Sequence, residues 1–284
     1  ALDWETSFTR ASLGLSTAAD IDLSWLTDGR TVSQRWPGSR TVAVACTTTG
    51  VSQAPVASAL AAVFGRWGHP VVVWDNNESG GVLRWRSEWA DHGATVPDLL
   101  ANLPAVMAAD STTGVDPYIH PQREDRYDVL QAGDPAESVW RLSAPAIEAL
   151  HSCLAQFYDL VLIDLGHDVG AATWRAAVAG ADLLAVAVSE LAEAATAVRL
   201  LDSLRWDDPR SRALARSAVA VVVQPSPDVA AEGVARQLNG VASKIVAVPY
   251  DPGQQFGPFH YTALDQSAQR AWLRAAAAIA ERLA

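Results

Sequence analysis

Residues 41–75 read TVAVACTTTGVSQAPVASALAAVFGRWGHPVVVWD. Thr41–Ala45 is a short β-branched run, and Cys46–Pro55 is a loop of small residues. Val56–Trp67 then sets Val56, Leu60, Val63, Phe64 and Trp67 at helical spacing before Gly68, a helix stop. Val71–Trp74 is a second apolar run, closing on Asp75. Strand, loop, helix and strand in this order form a βαβ unit.

The same alternation continues outward. Strands are expected at Tyr127–Leu130, Tyr158–Asp164, Leu183–Val188, Ala218–Val223 and Lys244–Val248. Helices are expected at Pro145–Phe157, Trp174–Gly180, Ala192–Leu204, Val229–Leu238 and Ser267–Leu283. Unbroken Val/Leu/Ile strands are buried on both faces, and the helices between them must cross over to cover those faces. The fold class expected is therefore α/β: a three-layer, doubly wound, mostly parallel sheet with helices on both sides. Such sheets bind ligands at the carboxyl ends of their strands, which gathers the loops after Ala45, Trp74, Asp164, Val223 and Val248 around one site. Residues 1–38 carry Trp4, Trp25 and Trp36, with a short helix expected within Ser7–Leu26 and a turn at Trp36-Pro37-Gly38. They are read as an N-terminal extension and partner-binding segment, and 39–284 as the domain.

Composition narrows the function. Half of the 284 residues are hydrophobic and 19% are charged, enough apolar material for a core and too much for wholesale disorder. The net charge of −11 repels phosphate backbones, so direct nucleic-acid binding is disfavoured. Cys46 and Cys153 make no disulfide framework, which points to a cytoplasmic setting, with association at the membrane or pole only through partners. No apolar run reaches the roughly 18–20 residues of a membrane span, and no secretion signal opens the chain. Residue 1 is Ala, so an upstream region is expected to have been removed. Of the 21 basic residues one is a lysine, Lys244.

The loop after Ala45 sits where a phosphate loop sits. Such a loop uses glycines so that N–H groups curl around phosphates, a lysine for the β/γ-phosphates and a Ser/Thr hydroxyl for magnesium. Thr48-Thr49-Gly50-Val51-Ser52-Gln53-Ala54-Pro55, followed by Val56-Ala57-Ser58-Ala59-Leu60-Ala61, resembles the K-G-G-V-G-K-T-T loop and V-A-x-N-L-A helix start of the MinD/ParA family of deviant-Walker (SIMIBI class) P-loop ATPases. Val71–Gly81 is similar to the family's D-x-D-P-x-x-G switch, with Asp75 as the first acid and Asn77 in place of the second. Tyr158–Gly170 resembles Y-D-x-V-I-V-D-T-x-P-G-x-G, in which the acid matching Asp164 holds magnesium through water. Val248-Pro249-Tyr250-Asp251-Pro252 resembles the I-P-Y-D-P adenine-side loop, and Gln224 stands where the family often has an adenine-reading Asn. The resemblance covers residues 40–284 and implies a P-loop NTPase-like fold.

The departures all run one way. In this resemblance the phosphate lysine falls on Gln53, the magnesium threonine on Ala54 and the signature lysine, which reaches across a dimer, on Thr48. Gln53 donates a hydrogen bond without charge, Ala54 has no oxygen for a cation, and Pro55 lacks an N–H. Phosphoryl transfer is catalysed almost wholly by positioning and charge stabilisation, so this loss removes most of it. With Lys244 the one lysine, no shift of the alignment restores another.

The expectation is a pseudo-ATPase, without catalytic residues, metal or resident cofactor, ATP being the one nucleotide the loop resembles a site for. Its vestigial pocket comprises Thr48, Thr49, Gly50, Val51, Ser52, Gln53, Ala54, Asp75, Asn77, Asp164, Gln224, Pro249 and Asp251. It would serve as a scaffold or localisation factor with protein partners in a secretion, transfer, pilus or partition machinery, as a monomer or a nucleotide-independent dimer. The alternative is an ATP-binding dimerisation switch with weak or no ATPase activity, arginines replacing the missing lysines. A Rossmann-type enzyme is a third class, and it predicts a deep apolar pocket at the same strand ends.

Other residues have plainer readings. His151 and Cys153 are two apart on a helix and face away from each other, so they are structural rather than a metal pair. His167-Asp168 has no neighbouring nucleophile to serve. Trp85 and Trp89, interleaved with Arg84 and Arg86, are either core packing or an exposed patch. The alanine-rich Ala271–Leu283 is expected to cover the sheet rather than bind a membrane.

Overall fold

The computed structural model describes residues 23–46, 54–77, 82–108, 114–133 and 142–284. Of the loop that resembles a phosphate loop, Thr48, Thr49, Gly50, Val51, Ser52 and Gln53 lie outside these residues.

The strands are β1 (Arg40–Cys46), β2 (Val71–Asp75), β3 (His120–Gln122), β4 (Tyr127–Leu130), β5 (Leu160–Asp164), β6 (Leu183–Val188), β7 (Val219–Val223) and β8 (Lys244–Val248). They form one eight-stranded sheet in the order β3-β4-β2-β5-β1-β6-β7-β8. Every pairing is parallel except the edge pair β3–β4. The apolar runs expected as strands are the strands observed. β3 was not legible because three residues, one of them Pro121, carry no period-2 signal. An edge strand tolerates that proline, whose missing N–H is not needed on the open side.

The helices are α1 (Ser24–Val32), α2 (Ala54–Arg66), α3 (Val96–Ala101), α4 (Leu103–Met107), α5 (Ala144–Phe157), α6 (Ala172–Gly180), α7 (Leu191–Trp206), α8 (Pro209–Ser217), α9 (Ala231–Leu238) and α10 (Gln266–Leu283). Strand alternation divides the interior into two cores. Val42, Val44, Val71, Val73, Leu160 and Leu162 pack against α2 and α10. Ala43, Ala45, Val72, Trp74, Val161 and Ile163 pack against the layer that includes α5, α6 and α7. The result is three layers with helices on both faces of the sheet, as the fully apolar strands require.

Two local readings gain detail. α10 buries Trp272 and Ile279 completely among its small alanines, so it lies along the sheet as expected. α1 lies on α10. Val32 is fully buried, and Trp25 and Trp36 pack against the same core, so from Ser24 onward the segment read as an extension is part of the packed body. α3 and α8 lacked a long apolar period, but their starts carried signals. Thr95 and Asp98 form a capping box, and Asp208 caps α8 ahead of Pro209 by accepting from the N–H groups of Arg210 and Ser211.

Candidate functional site

The pairing of β2 with β5 makes Asp75 and Asp164 direct register partners at the carboxyl ends of both strands. Val44 of β1 flanks Asp164 on the other side. Adjacent strands run about 4.8 Å apart, so the two carboxyls emerge side by side. Their parity matches that of Val71, Val73, Leu160 and Leu162, which carries both to the α2 face of the sheet. Asp75 is 2% exposed and Asp164 is 4% exposed.

This placement decides their chemistry. Burial, reinforced by the charge of Asp164, pushes the Asp75 carboxyl up to about 8, against the pull of the Asn77 N–H. Burial likewise raises Asp164 to about 6, opposed by the Gly166 N–H. The Cys46 thiol at the end of β1 is raised well above its ordinary range, first by burial and then by the charges of Asp164 and Glu193. Among the described residues no Arg or Lys forms an ion pair with either carboxyl. Two adjacent buried carboxyls without a cation cannot both ionise, so the pair retains a proton at neutral pH. Lys244 cannot help: it is exposed and begins β8, register partner of Val219 at the amino end of the sheet.

The neighbouring loops are tightly tied. The Asn76 N–H donates to the Asp164 carbonyl (2.9 Å), extending the β2–β5 ladder by one residue. The Asn77 N–H donates to Asp75 Oδ1 (3.0 Å). Gly166 has φ +65° and lies against Asn77; a Cβ there would sit 3.0 Å from the Asn77 Cγ, so glycine satisfies both backbone and space. Ala54 is the first residue of α2, so the helix begins two residues ahead of the Val56 expected, and the loop is shorter by Ala54 and Pro55.

Gln224 and Asp251 lie past the ends of β7 and β8, and both are committed to the backbone. Gln224 Nε2 donates to the Val229 carbonyl (2.7 Å), and its Oε1 accepts from the Tyr250 N–H (3.2 Å). Asp251 accepts from the N–H groups of Gly253 (2.8 Å) and Asp265 (2.7 Å), joining a 3-10 turn to the start of α10. The Pro249 carbonyl accepts from Gln254 Nε2 (3.2 Å). The structure thus brings Asp75, Asn77 and Asp164 together, whereas Gln224, Pro249 and Asp251 stitch a second loop cluster.

Magnesium, which the resemblance implies, does not fit the donors described here. The position matched to the metal hydroxyl is an alanine, and Asp164 is a buried carboxyl raised toward its neutral form. No group of three or more His, Cys, Asp or Glu gathers for a metal among the described residues. A cavity of about 160 Å³ opens between α5 and α6, lined by Ile147, Glu148, His151, Ile163 and Gly180, away from the paired carboxyls. His151 Nε2 lies 2.6 Å from Thr41 Oγ1 while Cys153 is fully buried, which gives each a structural place. Asp168 accepts from the Gly170 N–H (3.0 Å) in an exposed loop. Sequence reasoning did not single out Arg86, which is only 4% exposed, as a buried cation. No pattern in VLRWR distinguishes it from the exposed Arg84.

No family model matches the chain, and no curated protein matches it. Solved structures do. A ParA family ATPase from Chlorobium tepidum TLS aligns over 84% of this chain and 98% of its own, at 15% identity and TM-score 0.66. The cell division ATPase MinD of Pyrococcus furiosus aligns over 87% of this chain and 100% of its own, at 18% identity and TM-score 0.64. The MinC:MinD cell division protein complex of Aquifex aeolicus aligns over 84% of this chain and 94% of the matched chain, at 17% identity and TM-score 0.53. At these identities the likeness is one of fold, and it agrees with the eight-stranded, mostly parallel sheet between helix layers: the chain has the fold of the ParA/MinD ATPases.

Proposed function

We propose that this chain is a MinD/ParA-like pseudo-ATPase, a scaffold or localisation factor that positions or regulates a protein machinery without hydrolysing ATP. The observation that carries the reading is the Asp75–Asp164 pair, two buried carboxyls with no paired cation among the described residues. A negative triphosphate beside such a pair needs positive charge to offset it. Gln53, Ala54 and Thr48 supply none, and the chain's one lysine is at the far end of the sheet.

Two features support a binding role. A relative in fold is a MinC:MinD complex, so this scaffold holds protein partners in at least that case. Here Trp85, Trp206 and Phe256 are all more than two-thirds exposed, material for protein contact. A machinery of partition, pilus, secretion or transfer type is the proposed client. No helix among the described residues is long and apolar enough to cross a membrane.

Isothermal titration with ATP and magnesium tests the reading, with light scattering alongside. The expected result is no heat at millimolar nucleotide and the same mass with and without ATP. Micromolar binding with ATP-dependent dimerisation would replace this reading with the ATP-binding switch.

A further inference from the structure

Arg86 closes the 3-10 turn Val82–Arg86 that follows β2. Its guanidinium is buried, yet only Nη2 is bonded, to the Gln254 carbonyl; Nε and Nη1 have no partner. No carboxylate pairs with it among the described residues. Tyr127 of β4 stands near it, and Ser58 of α2, a helix that packs on this turn and on β4, lies against Tyr127. Both hydroxyls are buried and face one another, and neither reaches a further hydrogen-bond partner. Three elements therefore converge on one place that holds unused donors: the Nε and Nη1 positions of a guanidinium, beside a facing pair of hydroxyls.

An unpaired buried cation is strongly unfavourable, and guanidinium nitrogens donate without ever accepting. A buried set of donors around a fixed positive charge has the chemistry of an oxyanion site. The segment after β8 closes over it. The Arg86 carbonyl accepts from the Phe259 N–H (3.0 Å), and Gln254 Oε1 is held by Trp272 Nε1 (3.2 Å). Phe256, between them in sequence, is 83% exposed, and Gly257 has φ +70°, so the cover is a turn with an outward apolar tip.

We propose that Arg86, Tyr127 and Ser58 form a binding site for a small oxyanion of the phosphate class, covered by residues 252–260. The site uses neither strand-end carboxyl, so ATP binding that is lost in the Arg86 variants and brings no ATP-dependent dimerisation belongs here and leaves the pseudo-ATPase reading standing. The anion is either free inorganic phosphate or the phosphoryl group of a larger ligand such as ATP, and the two arms of the test separate these sources.

The test uses the full chain, titrated with inorganic phosphate at constant ionic strength and followed by calorimetry and thermal unfolding. Phosphate is expected to bind saturably and raise Tm beyond the effect of sodium chloride. Arg86→Gln should abolish the response, and Tyr127→Phe should weaken affinity about tenfold, the scale of one hydrogen bond to a charged group. Should Arg86→Gln fail to fold, Arg86→Lys keeps the charge with fewer donors and should bind more weakly than the parent. A response to ATP but not to phosphate, lost in the Arg86 variants, assigns the site to a phosphoryl group. Indifference of the parent chain to both anions overturns the proposal and leaves the cluster to water. A response undiminished in the Arg86 variants overturns it as well.

Discussion

Asp75 and Asp164 face one another as register partners on adjacent parallel strands, both almost wholly buried and both raised well above the usual carboxylate range. The folded chain therefore binds protons that the unfolded chain releases. For Asp75 this holds from about pH 4, the ordinary carboxyl value, to about 8. Its stabilising contribution is fully present below that window and is lost as pH rises through it, because the native state must give up a proton it holds tightly. Thermal or chemical denaturation between pH 5 and pH 9 should show stability falling as pH rises. Asp75→Asn should flatten that slope and stabilise the chain by about 1–3 kcal/mol above pH 8, since an amide needs no ionisation and still accepts from the Asn77 N–H. A profile unchanged by the substitution would show that the pair does not set the pH response.

A second prediction concerns how closely α2 approaches the turn between β3 and β4. A Cβ on Gly65 would sit 2.3 Å from the Arg126 carbonyl oxygen and 2.8 Å from that of Asp125, both backbone atoms that cannot swing aside. Gly65→Ala should cost about 3 kcal/mol or more by forcing the helix off the sheet. Arg126 itself has φ 60°, an unfavourable conformation for a side chain with a Cβ. Arg126→Gly is therefore predicted to be neutral or to stabilise by about 1 kcal/mol. Denaturant midpoints of the two variants check the opposite signs.

Much of this architecture was legible in the sequence because a two-sided parallel sheet leaves a strong trace. AVAVVV and LVLID have no polar face to confuse with a loop, and each ran into a small-residue loop and a helical period. The pairing of the acids was legible only in part. That Asp75 and Asp164 end their strands is written in the sequence, but their register across β2 and β5 follows from the strand order, which places β5 between β2 and β1. Gln224 and Asp251 show the opposite limit. Side chains that resemble ligand-reading groups are here bonded to the backbone of their own loops, and no spacing rule reveals which use the fold makes of them. Trp25 and Trp36 read as part of a partner-binding extension because no period surrounds them, whereas both pack on the core, Trp36 beside Phe64 and His69.

The packing of α1 leads to a third prediction. Val32 is fully buried, and its carbonyl accepts from His69 Nε2 (2.8 Å), tying α1 to the end of α2. His69 stacks on Trp36 with ring centroids 4.6 Å apart, and burial lowers its pKa, so it serves as a neutral donor here. Removing residues 1–38 would strip this layer from the alanine-rich face of α10 and should leave a chain that aggregates. Val32→Ala is the finer probe, with an expected cost of about 2 kcal/mol. Cooperative unfolding of the shortened chain at the parent's midpoint would show that the segment is an appendage.

The two tryptophans after β2 share one sequence context but should respond differently to the same change. Trp85 is 72% exposed, and its contact is with the Arg84 guanidinium, 5.9 Å from its ring. Trp85→Ser should alter stability by no more than about 0.5 kcal/mol, because nothing is desolvated around it. Trp89 is anchored. Its Nε1 donates to the Arg84 carbonyl (3.1 Å), its ring lies 4.8 Å from that of His120, and the Arg84 guanidinium sits 4.8 Å from its centroid. His120 is fully buried, donating from Nε2 to the Ala94 carbonyl (3.0 Å) and accepting at Nδ1 from the Ala90 N–H (3.1 Å). Trp89→Ser opens one side of that stack and should cost about 1–3 kcal/mol, the ordinary range for loss of a packed contact. If Trp85 belongs to a partner-binding surface, Trp85→Ser should weaken capture of that partner while Tm stays at the parent value. Loss of partner binding only together with loss of stability would place the role of this segment in the fold.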